Sequence, residues 1–242
     1  PIMTTCFIPC GAKMPIIGLI AGALFGGSSL VAVSAYFIGM AAIICSGIIL
    51  KKTKAFAGDP APFVMELPNY RFPSARSVCQ LIWEKARDFL QKAFTIIFVA
   101  TVLIWFLQTF DMRLNVAASA DKSLLAAIGS FIAPLFRPLG FGDWRVSTAL
   151  ITGFTAKESV VSTLTVLLGG DTAALTTLFT PFTGIVFLVF TLLYTPCVAA
   201  IAAVKRELGS ARAAAGVVLM QCGIAWIVAF VVHCVGTVFG LV

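Results

Sequence analysis

The amino-acid sequence predicts an all-α, polytopic transmembrane helix bundle in which two of the membrane segments are interrupted. Three observations predict it. The 242 residues are 60% hydrophobic and only 11% charged, where a soluble domain carries about 25% charged residues. The apolar runs are long and continuous rather than alternating, which excludes an outer-membrane barrel. Two of those runs also contain a proline followed directly by a cysteine, in Ile8-Pro9-Cys10-Gly11-Ala12 and Thr195-Pro196-Cys197-Val198-Ala199. Proline lacks an N–H and crowds the carbonyl four residues back, so the carbonyls of Thr5 and Leu192 lose their helical donor. Inside a bilayer such groups persist only where protein or a water-filled cavity satisfies them.

Taken in order, residues 1–50 form the first interrupted segment and the helices that follow it. Residues 14–50 carry no charge, and Gly26-Gly27-Ser28-Ser29 divides them. The piece 15–25 is too short to cross a core of about 30 Å at about 1.5 Å per residue, so it reads as a half-helix. Residues 30–50 are long enough to span, and Lys51, Lys52 and Lys54 follow at once. Residues 51–92 read as a cytoplasmic loop, because they hold eight of the 17 Lys and Arg residues. Within it, 74–92 alternates apolar Val78, Leu81, Ile82 and Phe89 with Arg76, Glu84, Arg87, Asp88 and Lys92. That pattern predicts an amphipathic helix on the inner surface.

Residues 93–242 hold the remaining spans: 93–110, a short dip at 124–136, a crossing at 146–168, and the charge-free runs 172–204 and 213–242. The net charge of +7 comes from the cytoplasmic segments, and no basic patch with interleaved aromatics suggests nucleic acid. Seven cysteines without a CxxC pair make no disulfide framework. No GxxxxGK[ST] loop and no catalytic motif is present. The opening Pro1-Ile2-Met3, with no signal peptide, reads as the start of a fragment.

A soft thiol beside bared carbonyls is a plausible stopping place for a transition-metal cation, which makes Cys10 and Cys197 candidates; a kinked helix with a packing cysteine is the alternative. Gly153-Phe154-Thr155-Ala156-Lys157-Glu158-Ser159 is a third interruption. Lys157 lies 11 residues past Val146, roughly 17 Å along a helix axis and so near the midplane. Charge at that depth needs a partner. Adjacent side chains diverge by about 100° on a helix, so Lys157 and Glu158 cannot pair with each other. One of them is expected to hold a neighbouring broken helix and the other to face a cavity; a structural clamp formed by both is the alternative. Glu158 and Ser159 are then the oxygen donors at depth, while Pro9, Pro196, Gly153 and Lys157 shape the breaks. His233 with Cys234 beside it, Cys6, and the thioethers of Met3, Met14 and Met40 are weaker candidates, and Cys45, Cys79 and Cys222 are expected to pack.

These pieces resemble one family. Thr4-Thr5-Cys6-Phe7-Ile8-Pro9-Cys10-Gly11-Ala12-Lys13-Met14-Pro15 is similar to the first Gate motif of the FeoB-type ferrous iron transporters. Gly153 to Ser159, continuing Val160-Val161-Ser162-Thr163-Leu164, resembles the middle signature of that family, and Leu193 to Ala199 its second Gate motif. Phe63-Val64-Met65-Glu66-Leu67-Pro68-Asn69-Tyr70-Arg71 is similar to the stretch between. The resemblance implies a Gate-type inverted repeat in a multi-pass protein of the bacterial inner membrane that takes up Fe(II). It also implies an upstream domain binding GTP and Mg²⁺, small cytoplasmic Feo partner proteins, and room for a homo-oligomer. Carried over, Cys10 and Cys197 match the Gate cysteines, and Glu158 and Ser159 the acid and hydroxyl of the middle motif; Cys6 is outside the pattern. The competing reading is a Gate-fold carrier of a nucleoside-like organic solute, since broken helices also bind polar substrates.

The charge distribution generates a topology prediction. In a background lacking Cys79, Ser77→Cys or Gln80→Cys should resist a membrane-impermeant thiol reagent added outside intact cells. Efficient modification there would reverse the orientation.

Overall fold

The computed structural model describes residues 7, 10–52, 72–113, 115–117, 119–170, 174–195 and 197–240. Pro9, Pro196, Cys6, Met3 and the 63–71 stretch lie outside the described residues. Most of the described residues are helical. A single turn Gly11–Lys13 leads into α1 (Met14–Phe25), and Gly26 closes α1 in the left-handed conformation at φ 59°. Only a residue without a Cβ adopts that backbone freely, so the Gly-Gly pair separates α1 from α2 (Ser29–Lys52). Lys51 and Lys52 occupy the last turn of α2, where the helix dipole favours positive charge.

Next comes α3 (Ala75–Thr109), capped by the Ser74 hydroxyl, which accepts from the Ser77 N–H at 3.3 Å. This corrects two expectations. The amphipathic stretch 74–92 and the span 93–110 are one continuous helix of 35 residues, about 50 Å long by helical rise. The change from charged to apolar composition at residue 93 breaks nothing, because no glycine or proline lies between Ala75 and Thr109.

The pair α4 (Leu124–Phe136) and α5 (Trp144–Thr155) is bent by 105°. The turn between them runs through Arg137-Pro138-Leu139 and Gly140, whose φ is 85°. Each helix is started by a side-chain cap, Ser123 and Asp143 respectively. The predicted crossing 146–168 is also corrected. It ends at Thr155, passes through extended Ala156, and resumes as α6 (Ser159–Leu167). After a one-turn α7 (Leu175–Leu178), Thr180 and Thr183 form a capping box that starts α8 (Pro181–Leu193). The run 172–204 is interrupted as expected: α9 (Val198–Leu208) begins five residues after α8 ends, and α10 (Ala211–Val238) follows.

Helix α8 is the axis of the bundle, packed against α1, α2 and α10. Its face carries Phe187 and Phe190, which meet Phe136, Phe141 and Phe179. Association of helices in lipid relies on close packing rather than on expulsion of water, and small residues supply the closeness here. A Cβ on Gly184 would collide with Leu24 of α1, and one on Gly236 with the ring of Phe182. By contrast α2, α3 and α10 turn large apolar side chains outward, among them Phe37, Phe94, Trp105 and Leu219. Among the described residues, Ser29–Lys52, Pro181–Leu208 taken across its break, and Ala211–Val238 are long and apolar enough to cross a bilayer. An all-α bundle with bent and interrupted helices and an apolar outer surface is the fold that the sequence predicts.

Gly184→Val should lower the thermal unfolding temperature in detergent, because it overpacks the α1–α8 contact at a cost of about 1–3 kcal/mol. Gly216→Val, where a Cβ meets nothing within 4 Å, should leave it nearly unchanged.

Candidate functional site

Helix α8 stops at Leu193, and its last carbonyls have no helical donor. Tyr194 and Cys197 are both extended, at φ −68°, ψ 168° and φ −64°, ψ 161°. The carbonyl of Leu192, bared by the proline at 196, accepts from the Lys13 Nζ at 2.7 Å. Lys13 comes from the turn that opens the first interrupted segment, 179 residues away in sequence. The carbonyl of Tyr194 accepts from the Lys157 Nζ at 3.4 Å, and the same ammonium stands 3.1 Å from the centroid of the Tyr194 ring. Both lysines are buried, at 3% and 2% exposure. Three segments distant in sequence therefore meet at one break, and two ammonium groups hold them.

The surroundings of Tyr194 explain why Lys157 reaches it. The ring stacks on Phe190 at 5.4 Å, and its hydroxyl donates to the Leu150 carbonyl at 3.5 Å. Gly153 lies beneath. A Cβ there would come 2.6 Å from the Tyr194 hydroxyl and would collide with Val160. Hydroxyls of Thr152 and Thr163 bind each other at 2.9 Å across the α5–α6 break, so the chain turns at 156–158 and drives Lys157 inward. Glu158, next in sequence, is exposed, and Ser159 is half-buried at the start of α6. Lys157 is the member of the pair that holds a broken helix, whereas Glu158, expected to face a cavity, lines none of the cavities described here and is exposed.

Cys10 and Cys197 share a setting. Cys10 precedes its helical turn with φ −91°, ψ 164°, close to the backbone of Cys197 before α9, and neither side chain caps the helix it precedes. Both thiols, together with Lys13 and Cys222, lie within electrostatic range of the Lys157 ammonium. Cys10 is exposed and Cys197 half-buried. Among the described residues no three of His, Cys, Asp and Glu gather into a ready-made metal cluster.

Sequence reasoning gave no separate role to three members of this centre. Lys13 was visible only as the charge at the head of an uncharged run, and Tyr194 and Thr195 as apolar and small neighbours of the proline. Thr195 is 2% exposed, and its hydroxyl has no hydrogen-bond partner among the described residues. It lines a cavity of about 480 Å³ with Tyr194, Ser147, Leu150 and Cys222. Cys222 thus faces a cavity instead of filling the core, while Cys45 and Cys79 are exposed on α2 and α3. His233 packs edge-on to Phe182 at 6.4 Å and beside Gly140, which is a packing position. Met14 accepts a hydrogen bond from the Tyr36 hydroxyl at 2.8 Å, and Met40 is exposed.

Residues 90–211 match the family model described as Gate, nucleoside recognition, and residues 32–85 match the ferrous iron transport protein B C terminus. The chain is 35% identical to the Fe(2+) transporter FeoB of Staphylococcus aureus (strain MSSA476), over 98% of this chain and 36% of that protein. It is 34% identical to the Fe(2+) transporter FeoB of Methanocaldococcus jannaschii, over 97% of this chain and 36% of the relative. A Porphyromonas gingivalis protein named as a fusion of Fe(2+) transport protein A and FeoB is 32% identical over 98% of this chain and 34% of its own length. The chain thus spans about a third of the length of these curated relatives. No solved structure matches it.

Gly153→Ala should destabilise the protein by about 1–3 kcal/mol, and Val160→Ala in the same chain should restore part of the loss, since the two sites touch. Thermal unfolding of the single and double variants in detergent measures the coupling; strict additivity would show that Gly153 does not set this contact.

Proposed function

The chain belongs to the Gate family, and from that premise we propose that it is the membrane portion of a FeoB-type ferrous iron transporter and forms the path by which Fe²⁺ crosses the membrane. The reading is supported by one observation above all: the first Gate segment, the middle motif and the second Gate segment meet around backbone carbonyls that no helix satisfies. Carbonyl and hydroxyl oxygens suit a divalent cation as it sheds water, and the thiols of Cys10 and Cys197 add the softer donors that ferrous iron accepts. Glu158 and Ser159, on the exposed side of the middle break, serve the same path as oxygen donors where the ion arrives or leaves.

The family setting supplies the rest of the proposal. The complete protein places this portion in the bacterial inner membrane, beneath a domain that binds GTP with Mg²⁺ and regulates the path. Small cytoplasmic Feo proteins act as partners, a role suggested by the fusion of transport protein A to FeoB in one relative. Carriage of a nucleoside-like solute has less support. The relatives that match nearly the whole chain are named for iron, and the centre offers amines, thiols and carbonyls.

The test is uptake of radioactive Fe²⁺ by anaerobic cells, normalised to folded protein in the membrane. Cys10→Ser and Cys197→Ser should each reduce it several-fold, because serine keeps the shape and loses the soft ligand. Glu158→Gln should also reduce it, and Cys45→Ser should not. Uptake equal to that of Cys45→Ser in all three variants would remove the metal path and leave kinked helices.

A further inference from the structure

The two ammonium groups at the second break stand where a cation would stand. Lys13 occupies the Leu192 carbonyl at 2.7 Å, and Lys157 occupies both the Tyr194 carbonyl and the negative face of its ring. Carbonyl oxygens and an aromatic face are groups that bind positive charge of any origin. The lysines therefore report a place in the bundle that is built for cations. They do not exhaust it: the Thr195 hydroxyl, 2% exposed and adjacent in sequence to Tyr194, has no hydrogen-bond partner among the described residues. An oxygen buried without a partner is costly, and a metal ion at the break would give it one.

We propose that the Leu192 and Tyr194 carbonyls with the Thr195 hydroxyl form a divalent-cation site, and that Lys13 and Lys157 are its built-in blockers. The proposal deepens the permease reading and rests on it. Two like charges share the break already, each within range of the other, and a third positive charge gains these oxygens only by displacing an ammonium. The blockers come from different segments, Lys13 from the turn before α1 and Lys157 from the break between α5 and α6. Movement of either segment relative to α8 withdraws one ammonium and frees one carbonyl. The conformation seen here is then the blocked one, and whatever moves those segments opens the site.

A merely structural lysine and a blocking lysine respond oppositely to removal. The complete transporter is reconstituted in liposomes holding a metal-quenched dye, and Fe²⁺ or Co²⁺ flux is followed without nucleotide. Lys13→Met and Lys157→Met, which keep length and lose charge, should raise this basal flux about ten-fold, the scale of one lost charge-assisted hydrogen bond. Lys205→Met, at an exposed position on α9, is the control. Basal flux at or below that of the unaltered protein in both folded variants would overturn the proposal. Should the variants fail to fold, the unaltered protein decides. Acylation of Lys13 by a small amine reagent, read by mass spectrometry, should rise when Co²⁺ is added, and labelling unchanged by the metal would overturn the blocking role. Unaltered transporter that passes no Fe²⁺ under any nucleotide condition would overturn the permease reading instead, a result separate from either outcome for the lysines.

Discussion

A backbone carbonyl inside a bilayer must have a donor, and in this bundle the donors at the central break are side chains. The helix α8 is surrounded by other helices and ends buried among them. Leu192 and Tyr194 therefore present their carbonyls where water is scarce, and leaving each unmade costs several kcal/mol. Lysine is suited to this task because its long apolar stem crosses the packed interior before the ammonium donates. The same bonds satisfy the lysines, which could not otherwise be buried at 2–3% exposure. Each group solves the problem that the other poses, so the break and the two buried charges are stable only together.

That mutual dependence organises the neighbours. Lys157 reaches Tyr194 because α5 and α6 are separated at 156–158, and the separation is held by Thr152 and Thr163. The Tyr194 ring can receive an ammonium on one face because Phe190 supports the other side and Gly153 leaves room at its hydroxyl. On the first segment, Lys13 is fixed by the turn that Cys10 opens, whose carbonyl accepts the Lys13 N–H at 3.0 Å. The Cys10 and Cys197 backbones are alike because each is the N-cap of the helix that follows, a position with extended dihedral angles.

How much of this was legible in the sequence differs from residue to residue, and for physical reasons. The proline at 196 identifies Leu192 as the bared carbonyl by arithmetic along one helix, a local rule. Its partner lies 179 residues away, and no local rule pairs them; the only clue to Lys13 is a charge left at the edge of an apolar run. The span 146–168 reads as one helix because length and hydrophobicity fit a crossing, and those measures are blind to a turn made by a buried lysine. Conversely, the division at residue 93 reads as a boundary because composition changes there, although helix continuity depends on backbone-breaking residues and α3 has none. Gly26-Gly27 was legible because it acts through its own dihedral angles, as the φ of 59° at Gly26 records.

Charge arithmetic then bears on what the centre is for. A site that stores a metal gathers acids and thiols until the ion's charge is matched, and no such cluster occurs among the described residues. Here the groups bound to the bared carbonyls are two ammoniums, with the Gate cysteine Cys10 opening the turn that carries Lys13 and Cys197 preceding α9. A divalent ion in that company meets good ligands and an unfavourable field at once. Conduction asks for that combination, since an ion must be attracted strongly enough to lose water and weakly enough to leave. Tight binding by a full set of thiolates would stop the ion at the first site. In the permease proposed above, the two ammoniums hold the bared carbonyl oxygens until a segment moves, so that no ion rests there in the blocked conformation.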